Sequence, residues 1–306
     1  MARSRPDFEA TSIMASETPP DTPATPAAVH DRAIGQILAD LRHLGPDDVE
    51  RVLRHQREHG LRFGEAAVAL GLVETDDVLY ALSQQFHYPY APKEQRGDSP
   101  DLVALNEPFS YRAEMFRALR TQLTARLWNG SPPKRALAVI SADIGDGKTY
   151  CASNLAVAMA QLGGHTLLVD ADLRNPRAHT VFHVDNSRGL SSVLSGRAEK
   201  KVIQPARGVE GLYVLPSGVT PPNPLELVER PAFALLVREL CGKFDRVLVD
   251  TPAAAHGADA SVIAARCGAA LVVARRDASR VGALQDLVGS LNDATVQVAG
   301  VVMNEF

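Results

Sequence analysis

The sequence predicts an α/β fold: a parallel sheet with helices on both faces, preceded by a small all-α domain and a disordered N-terminal tail. Three observations predict it. From Glu107 onward short apolar runs alternate with helical stretches, the pattern of a parallel sheet covered on both sides. Between His30 and Tyr90 a pattern recurs at an offset of 29 residues, with helical periodicity. Before it, residues 1–29 are rich in Pro, Ala, Thr, Ser and Asp, and Pro6, Pro19, Pro20, Pro23 and Pro26 interrupt any period, which predicts a disordered tail.

Composition narrows the function. The 306 residues suit two domains, and 45% hydrophobic content supports a packed core. Thirty-two basic against 36 acidic residues give a net charge of -4, which argues against bulk attraction to nucleic acid or anionic membrane and leaves only a local basic patch open. The longest apolar run, around Ala269–Ala274, falls far short of the roughly 18–20 residues of a membrane helix. Met1–Ala27 has no apolar h-region, so no secretory signal is expected. Cys151, Cys241 and Cys267 lie far apart without a CxxC, so neither a disulfide framework nor a cysteine zinc site is expected, in keeping with a reducing cytosol.

The all-α domain, 30–90, reads as two related helical hairpins. Aligning Gly35 with Gly64 also aligns Asp47 with Asp76, Asp48 with Asp77, Leu53 with Leu82 and Gln56 with Gln85. Gly45-Pro46-Asp47-Asp48 and Glu74-Thr75-Asp76-Asp77 supply the turns and helix starts. Val49, Val52 and Leu53, then Val78, Ala81 and Leu82, mark the inward face. Residues 91–106, with Pro92, Gly97 and Pro100, read as a linker.

In the domain at 107–306, Tyr111–Trp128 is an amphipathic helix with Met115, Phe116, Leu119 and Leu123 inward. Strands are expected at Ala136–Ile140, Thr166–Val169, Leu212–Leu215, Arg246–Val249, Ala269–Ala274 and Val296–Met303, with helices at Lys148–Leu162, Glu226–Cys241, Ala258–Cys267 and Val281–Leu291.

The chemistry gathers where three of these strands end. After Ala136–Ile140 comes Ala142-Asp143-Ile144-Gly145-Asp146-Gly147-Lys148-Thr149 and then a helix. This is the spacing of a P-loop (Walker A), with Ala in place of the first Gly. Main-chain N–H groups and the helix N-terminus make an anion nest. Gly145 and Gly147 admit close approach, Lys148 neutralises terminal phosphates, and the Thr149 hydroxyl suits Mg²⁺. The candidate nucleotide contacts run from Asp143 through Tyr150. Two further strands end in acids: Leu167-Leu168-Val169 in Asp170-Ala171-Asp172-Leu173-Arg174, and Val247-Leu248-Val249 in Asp250-Thr251-Pro252. Ligands of open parallel sheets bind at strand C-termini, so these acids are expected to face the loop. Asp250 and Asp172 are the candidate Mg²⁺ holders beside Thr149. Asp170 is the candidate to orient or deprotonate an attacking hydroxyl. An Asp after a strand is also ordinary turn chemistry; three such elements in one sheet favour a site.

Walker A, LLVDADLR at Leu167–Arg174 and VLVDTPA at Val247–Ala253 together resemble the bacterial tyrosine kinases of capsule and exopolysaccharide synthesis. The middle motif matches that family's Walker A-prime pattern. Gly189-Leu190-Ser191, Gly196, Leu215-Pro216-Ser217-Gly218 and Pro222-Asn223-Pro224 support the match, which covers about 110–306. The resemblance implies an ATP- and Mg²⁺-dependent protein-tyrosine kinase acting in polysaccharide export. Lys148, Asp170, Asp172 and Asp250 are then catalytic, and Arg174 and Asn304 join the nucleotide contacts. Asn304 is also open to a plain strand-end cap. Glu114, Arg117 and Arg120 fit the ExxRxxR helix that joins subunits of the family into rings; a solvated face with one intrahelical ion pair is the plainer reading. A chain without a membrane span is expected to work in the cytoplasm, at the inner membrane through a chain-length-determinant protein, with no nucleic acid partner.

Two departures qualify the resemblance. Such kinases usually end in a tyrosine-rich tail, whereas the six tyrosines here (Tyr80, Tyr88, Tyr90, Tyr111, Tyr150 and Tyr213) form no C-terminal cluster before Met303-Asn304-Glu305-Phe306; autophosphorylation in the usual place is not expected. Related partitioning and cell-division-site ATPases carry a second lysine where Asp143 stands, which argues against that branch. The missing tail keeps open a nucleotide-gated assembly switch without kinase activity. The helical domain resembles the N-terminal domain of type II secretion and pilus ATPases, some of which bind cyclic di-GMP through tandem Arg-Leu-Gly motifs. The second copy supplies Arg62, Gly64 and Gly71; the first is degraded, with Ala33 and Arg42 at the equivalent places. Nucleotide sensing and simple protein docking both remain open for it.

Overall fold

The structure, a computed structural model, describes residues 34–85, 90, 99–128, 135–197 and 201–305. The expected tail at 1–29 lies outside them, as does the first half, 91–98, of the residues read as a linker. The chain divides into a helical unit and an α/β unit that begins at Ser99.

The helical unit consists of α1 (Ile34–Arg42), α2 (Pro46–His59), α3 (Phe63–Ala69) and α4 (Thr75–Gln85). Pro46 opens α2 with Asp47 and Asp48 in the first turn, and Gly60 closes it in the left-handed region at φ 65°. The core is Leu38, Val52, Ala66, Ala67, Val73 and Ala81. The repeat is visible in it: Leu38 and Ala67, like Val52 and Ala81, occupy equivalent places and are fully buried. Leu53, expected inward, is 42% exposed. Arg42 of the first copy donates from Nε to Oδ2 of Asp77 in the second at 2.8 Å, and the same oxygen accepts from the N–H of Glu74 at 2.7 Å.

The α/β unit opens with α5 (Val103–Asn106) and α6 (Tyr111–Leu123), the latter continued by one π turn (Thr124–Trp128). Then follow β1 (Ala136–Ile140), α7 (Lys148–Ala160), β2 (Thr166–Asp170), α8 (Ala178–Phe182), α9 (Leu190–Leu194), β3 (Gln204–Pro205), β4 (Leu212–Leu215), α10 (Pro224–Glu229), α11 (Pro231–Lys243), β5 (Arg246–Asp250), a 3₁₀ turn (Ala254–His256), α12 (Asp259–Cys267), β6 (Gly268–Arg275), α13 (Val281–Asp293) and β7 (Gln297–Asn304). The seven strands run in the order β3-β4-β2-β5-β1-β6-β7, parallel except for the short edge strand β3. Residues of β1 and β2 are buried throughout, as their unbroken apolar runs require.

Three expectations need correction, and one strand was not foreseen. Val103–Asn106 is not linker but a helix: Val103, Ala104 and Leu105 are buried, and Asn154 of α7 accepts the Ala104 N–H at 2.9 Å. The helix expected over Glu226–Cys241 is two helices, because Pro231 holds Arg230 at ψ 144°, outside the helical region. Met115 is 45% exposed rather than inward; Ala113 and Leu123 are the buried residues of α6. The edge strand β3 had no sequence signal, being two residues long and ending in Pro205.

Candidate active site

The β1–α7 loop is held from three sides. Gly145 and Gly147 stand at φ 85° and 92°, conformations that other residues reach only with strain. A side chain on Gly147 would collide with the Asn304 amide. Asp146, almost fully buried, organises the turn: Oδ2 accepts the Asp143 N–H at 3.1 Å and Oδ1 the Ser279 hydroxyl at 2.9 Å, while its main-chain oxygen accepts from Asn304 Nδ2 at 3.0 Å. Ser141 donates to the Asp143 carbonyl at 2.7 Å and accepts from Lys148 Nζ at 3.1 Å. The segment after β5 is laced to the loop by Ala254 N–H to Ser141 O and Ala255 N–H to Ala142 O, both 2.9 Å. A loop fixed this way keeps its N–H groups pre-oriented for an anion.

The acids sit at the same edge of the sheet. Asp170 of β2 and Asp250 of β5 are register partners. The Thr149 hydroxyl donates to Asp250 Oδ2 at 2.6 Å, while Asp250 Oδ1 is buried without a hydrogen-bond partner. Burial pushes the Asp250 carboxyl up to about 7, against the opposing pull of the Thr149 hydroxyl and the Lys148 ammonium. A buried carboxylate oxygen without a hydrogen-bond partner, next to a hydroxyl bound to its twin oxygen, fits the coordination of a cation. Asp172 is near enough for its charge to act on Asp250: its Oδ1 caps the turn by accepting from the N–H groups of Arg174 (3.1 Å) and Asn175 (2.8 Å). Thr149, Asp172 and Asp250 thus offer the hard oxygen donors that Mg²⁺ takes from protein.

Asp170 is placed differently. Oδ1 accepts from Asp172 N–H at 3.2 Å; Oδ2 accepts from Arg177 N–H at 3.2 Å and Ala178 N–H at 3.0 Å, where α8 begins. Burial, and then the neighbouring Asp250 charge, raise its carboxyl well above the usual range despite these bonds. Its direction is fixed by main chain.

Several sequence-predicted residues have other engagements. Arg174 makes a two-pronged pair with Asp259 at the start of α12, Nε to Oδ1 at 3.2 Å and Nη2 to Oδ2 at 3.0 Å. Ile144 is 66% exposed, so only its main chain serves the loop. Tyr150 lies edge-on to Phe116 at 5.9 Å, and burial raises its phenol. Asn304 acts as a cap on the Asp146 carbonyl. In α6, Glu114 and Arg117 pair at 2.7 Å and Arg117 Nη1 binds the Pro108 carbonyl at 2.6 Å, whereas Arg120 turns to the Ala158 carbonyl of α7 at 2.8 Å. The three share α6 at three-residue spacing but engage different partners. In the helical unit, Gly64 is a packing position, since a Cβ there would lie 2.6 Å from Val78 Cγ1. Gly71 is required by φ 68°. Arg62 starts α3, its N–H bound to Glu65 Oε2 at 2.8 Å. Both glycines thus have local structural reasons. Sequence reasoning missed Ser141, Asp259 and Ser279; Ser141, directly before the loop, was within reach of it.

Comparison with known proteins agrees with this geometry. Residues 137–306 match the CobQ/CobB/MinD/ParA nucleotide binding domain family. The chain is 37% identical over 163 residues to tyrosine-protein kinase YwqD of Bacillus subtilis, covering 53% of this chain and 68% of that one. It is 34% identical over 203 residues to tyrosine-protein kinase Etk of Escherichia coli, covering 66% of this chain but 28% of that one. It therefore spans well under a third of the longer relative. Among solved structures, the kinase domain of E. coli Etk superimposes with a TM-score of 0.63 at 33% identity, over 69% of this chain and 83% of that one. The chimerical protein CapA2B2 gives 0.63 at 29% identity, over 74% and 98%. With its P-loop, Walker A-prime acids and β5 aspartate at one sheet edge, the chain belongs to the CobQ/CobB/MinD/ParA nucleotide-binding family and, within it, to the bacterial tyrosine-protein kinases.

Proposed function

We propose that this chain transfers the γ-phosphoryl group of ATP to a tyrosyl hydroxyl of a protein, with Mg²⁺ as its metal, in the export of an exopolysaccharide. The observation that carries the reading is the 2.6 Å Thr149–Asp250 contact beside the unpartnered Asp250 Oδ1. It supports a metal site, since a hydroxyl and a carboxylate stand together beside the phosphate loop. Bound there by Thr149, Asp172 and Asp250, Mg²⁺ would offset charge on the phosphates. The loop N–H groups and Lys148 cradle the β- and γ-phosphates, and Lys148 neutralises charge that spreads over the equatorial oxygens as transfer proceeds. Asp170 orients the incoming phenol and takes up its proton. Its raised affinity for a proton suits that task, and its main-chain bonds set its direction. The bond from the β,γ-bridging oxygen to the γ-phosphorus breaks as the phenolic oxygen bonds to that phosphorus, leaving ADP and a phosphotyrosine.

In this reading a chain-length-determinant protein of the inner membrane is the activating partner, and the chain works at the membrane through it. No helix among the described residues is long and apolar enough to cross a membrane. Assembly into a ring would draw on the exposed side of α6 around Glu114, with Arg117 and Arg120 released from their present partners. Incubation of the protein and this partner with ATP and Mg²⁺ should give phosphotyrosine that Lys148→Ala abolishes. ATP turnover without phosphotyrosine would reject the kinase in favour of a nucleotide-gated assembly switch.

A further inference from the structure

We propose that His55, Glu58 and His59, on α2 of the helical unit, form a binding site for a borderline divalent transition-metal ion, zinc above all. The residues stand at i, i+3 and i+4, which places them on one helix face. One ligand atom from each lies within 4.8 Å of the others, and the half-exposed to exposed positions leave the group open to solvent. The two imidazoles lie against each other, with ring centroids 4.0 Å apart and planes inclined by 34°.

A further contact sets the tautomer. His59 Nδ1 lies 3.1 Å from the His55 carbonyl oxygen. A carbonyl only accepts, so Nδ1 carries the proton and Nε2 keeps its lone pair. A main-chain carbonyl on the other ring nitrogen is the usual support of a metal-binding histidine.

The donor set selects the ion. Two imidazoles and one carboxylate suit Zn²⁺ and its neighbours, whereas Mg²⁺ and Ca²⁺ demand oxygen donors in larger number. Three protein ligands leave one tetrahedral position for water. The chain's thiols offer no easy competition, since Cys151, Cys241 and Cys267 are all buried. An ion here would clasp the last turn of α2, immediately before the left-handed Gly60 where the chain turns towards α3. The core of this unit is small, and small cores gain most from such a staple.

The test uses the full chain without nucleotide. Zinc chloride is titrated calorimetrically in excess Mg²⁺, and Co²⁺ is followed by its visible d–d absorption. One zinc per chain should bind undisturbed by Mg²⁺, and saturation should raise the melting temperature of the helical unit. His55→Ala and His59→Ala should each weaken binding more than tenfold, and Glu58→Gln severalfold, with circular dichroism unchanged. Absence of zinc binding by the unmodified chain at micromolar concentration would overturn the proposal. So would unchanged zinc affinity in the folded His55→Ala/His59→Ala double variant.

Discussion

Replacing Asp250 by Asn should stabilise the nucleotide-free protein at alkaline pH while removing its activity. Asp250 is fully buried, and the displacement of its carboxyl from 3.8 to about 7 means that ionisation is penalised in the folded chain. At 1.36 kcal/mol per tenfold change in acidity this corresponds to ~4 kcal/mol as an upper bound. The sign follows from proton binding. Between about pH 4 and 7 the folded chain holds a proton on Asp250 that the unfolded chain releases, so this residue's contribution to stability falls as pH rises across that window. Above it the full penalty applies. Asn avoids the charge and still accepts from Thr149, but it leaves an N–H where Oδ1 now lies unpaired, at a cost of ~1–3 kcal/mol. The net gain at pH 8 is then ~1–3 kcal/mol, and it should shrink or reverse by pH 5. Urea unfolding of both proteins at the two pH values, without nucleotide or divalent ion, measures it. An Asn variant less stable than the parent at pH 8 would refute the idea that burial penalises the Asp250 charge. Phosphoryl transfer should fall at least a hundredfold in the same variant, because the proposed metal ligand is lost.

Two further outcomes test the reading of particular residues. Gly64→Ala should cost ~1–3 kcal/mol by thermal or chemical unfolding, because its Cβ meets Val78 Cγ1 at 2.6 Å. Val78→Ala in the same chain should restore part of the loss, and no recovery would mean that Gly64 serves something other than helix packing. Arg174→Ala should destabilise by ~2–3 kcal/mol, somewhat below the usual cost of breaking a buried pair, since the Arg174 side chain is 32% exposed while that of Asp259 is 3%. A double-mutant cycle with Asp259→Ala checks it, and a coupling below ~0.5 kcal/mol would show the pair to be incidental.

Much of the site was legible in the sequence because phosphate binding is done by contiguous main chain. Gly145, Gly147, Lys148 and Thr149 are neighbours in sequence and in space, and the strand before them and helix after them are written in period. Asp170 and Asp250 were legible for a related reason: each ends an unbroken apolar strand, and a parallel sheet sends all such ends to one edge. The helical repeat was legible because equivalent residues, Val52 and Ala81 among them, fill equivalent core places. What escaped was the support. Ser279 and Asp259 reach the loop or Arg174 from elements far along the chain, and nothing local marks a serine or an aspartate as a long-range partner.

The arginines show the same division. An Arg in a motif advertises charge but not the carboxylate or carbonyl that claims it. Arg174 was expected on nucleotide and is held by Asp259; Arg120 was expected at a subunit contact and binds the Ala158 carbonyl. Arg174 shares its turn with Asp172, whose Oδ1 receives the Arg174 N–H, so the pair with Asp259 steadies, through one peptide, a carboxylate that we propose as a metal ligand. The Arg174–Asp259 cycle can read this out: loss of the pair should weaken Mg²⁺-dependent nucleotide binding severalfold beyond its effect on stability, and equal nucleotide affinity in the folded variant would confine Asp259 to a structural role.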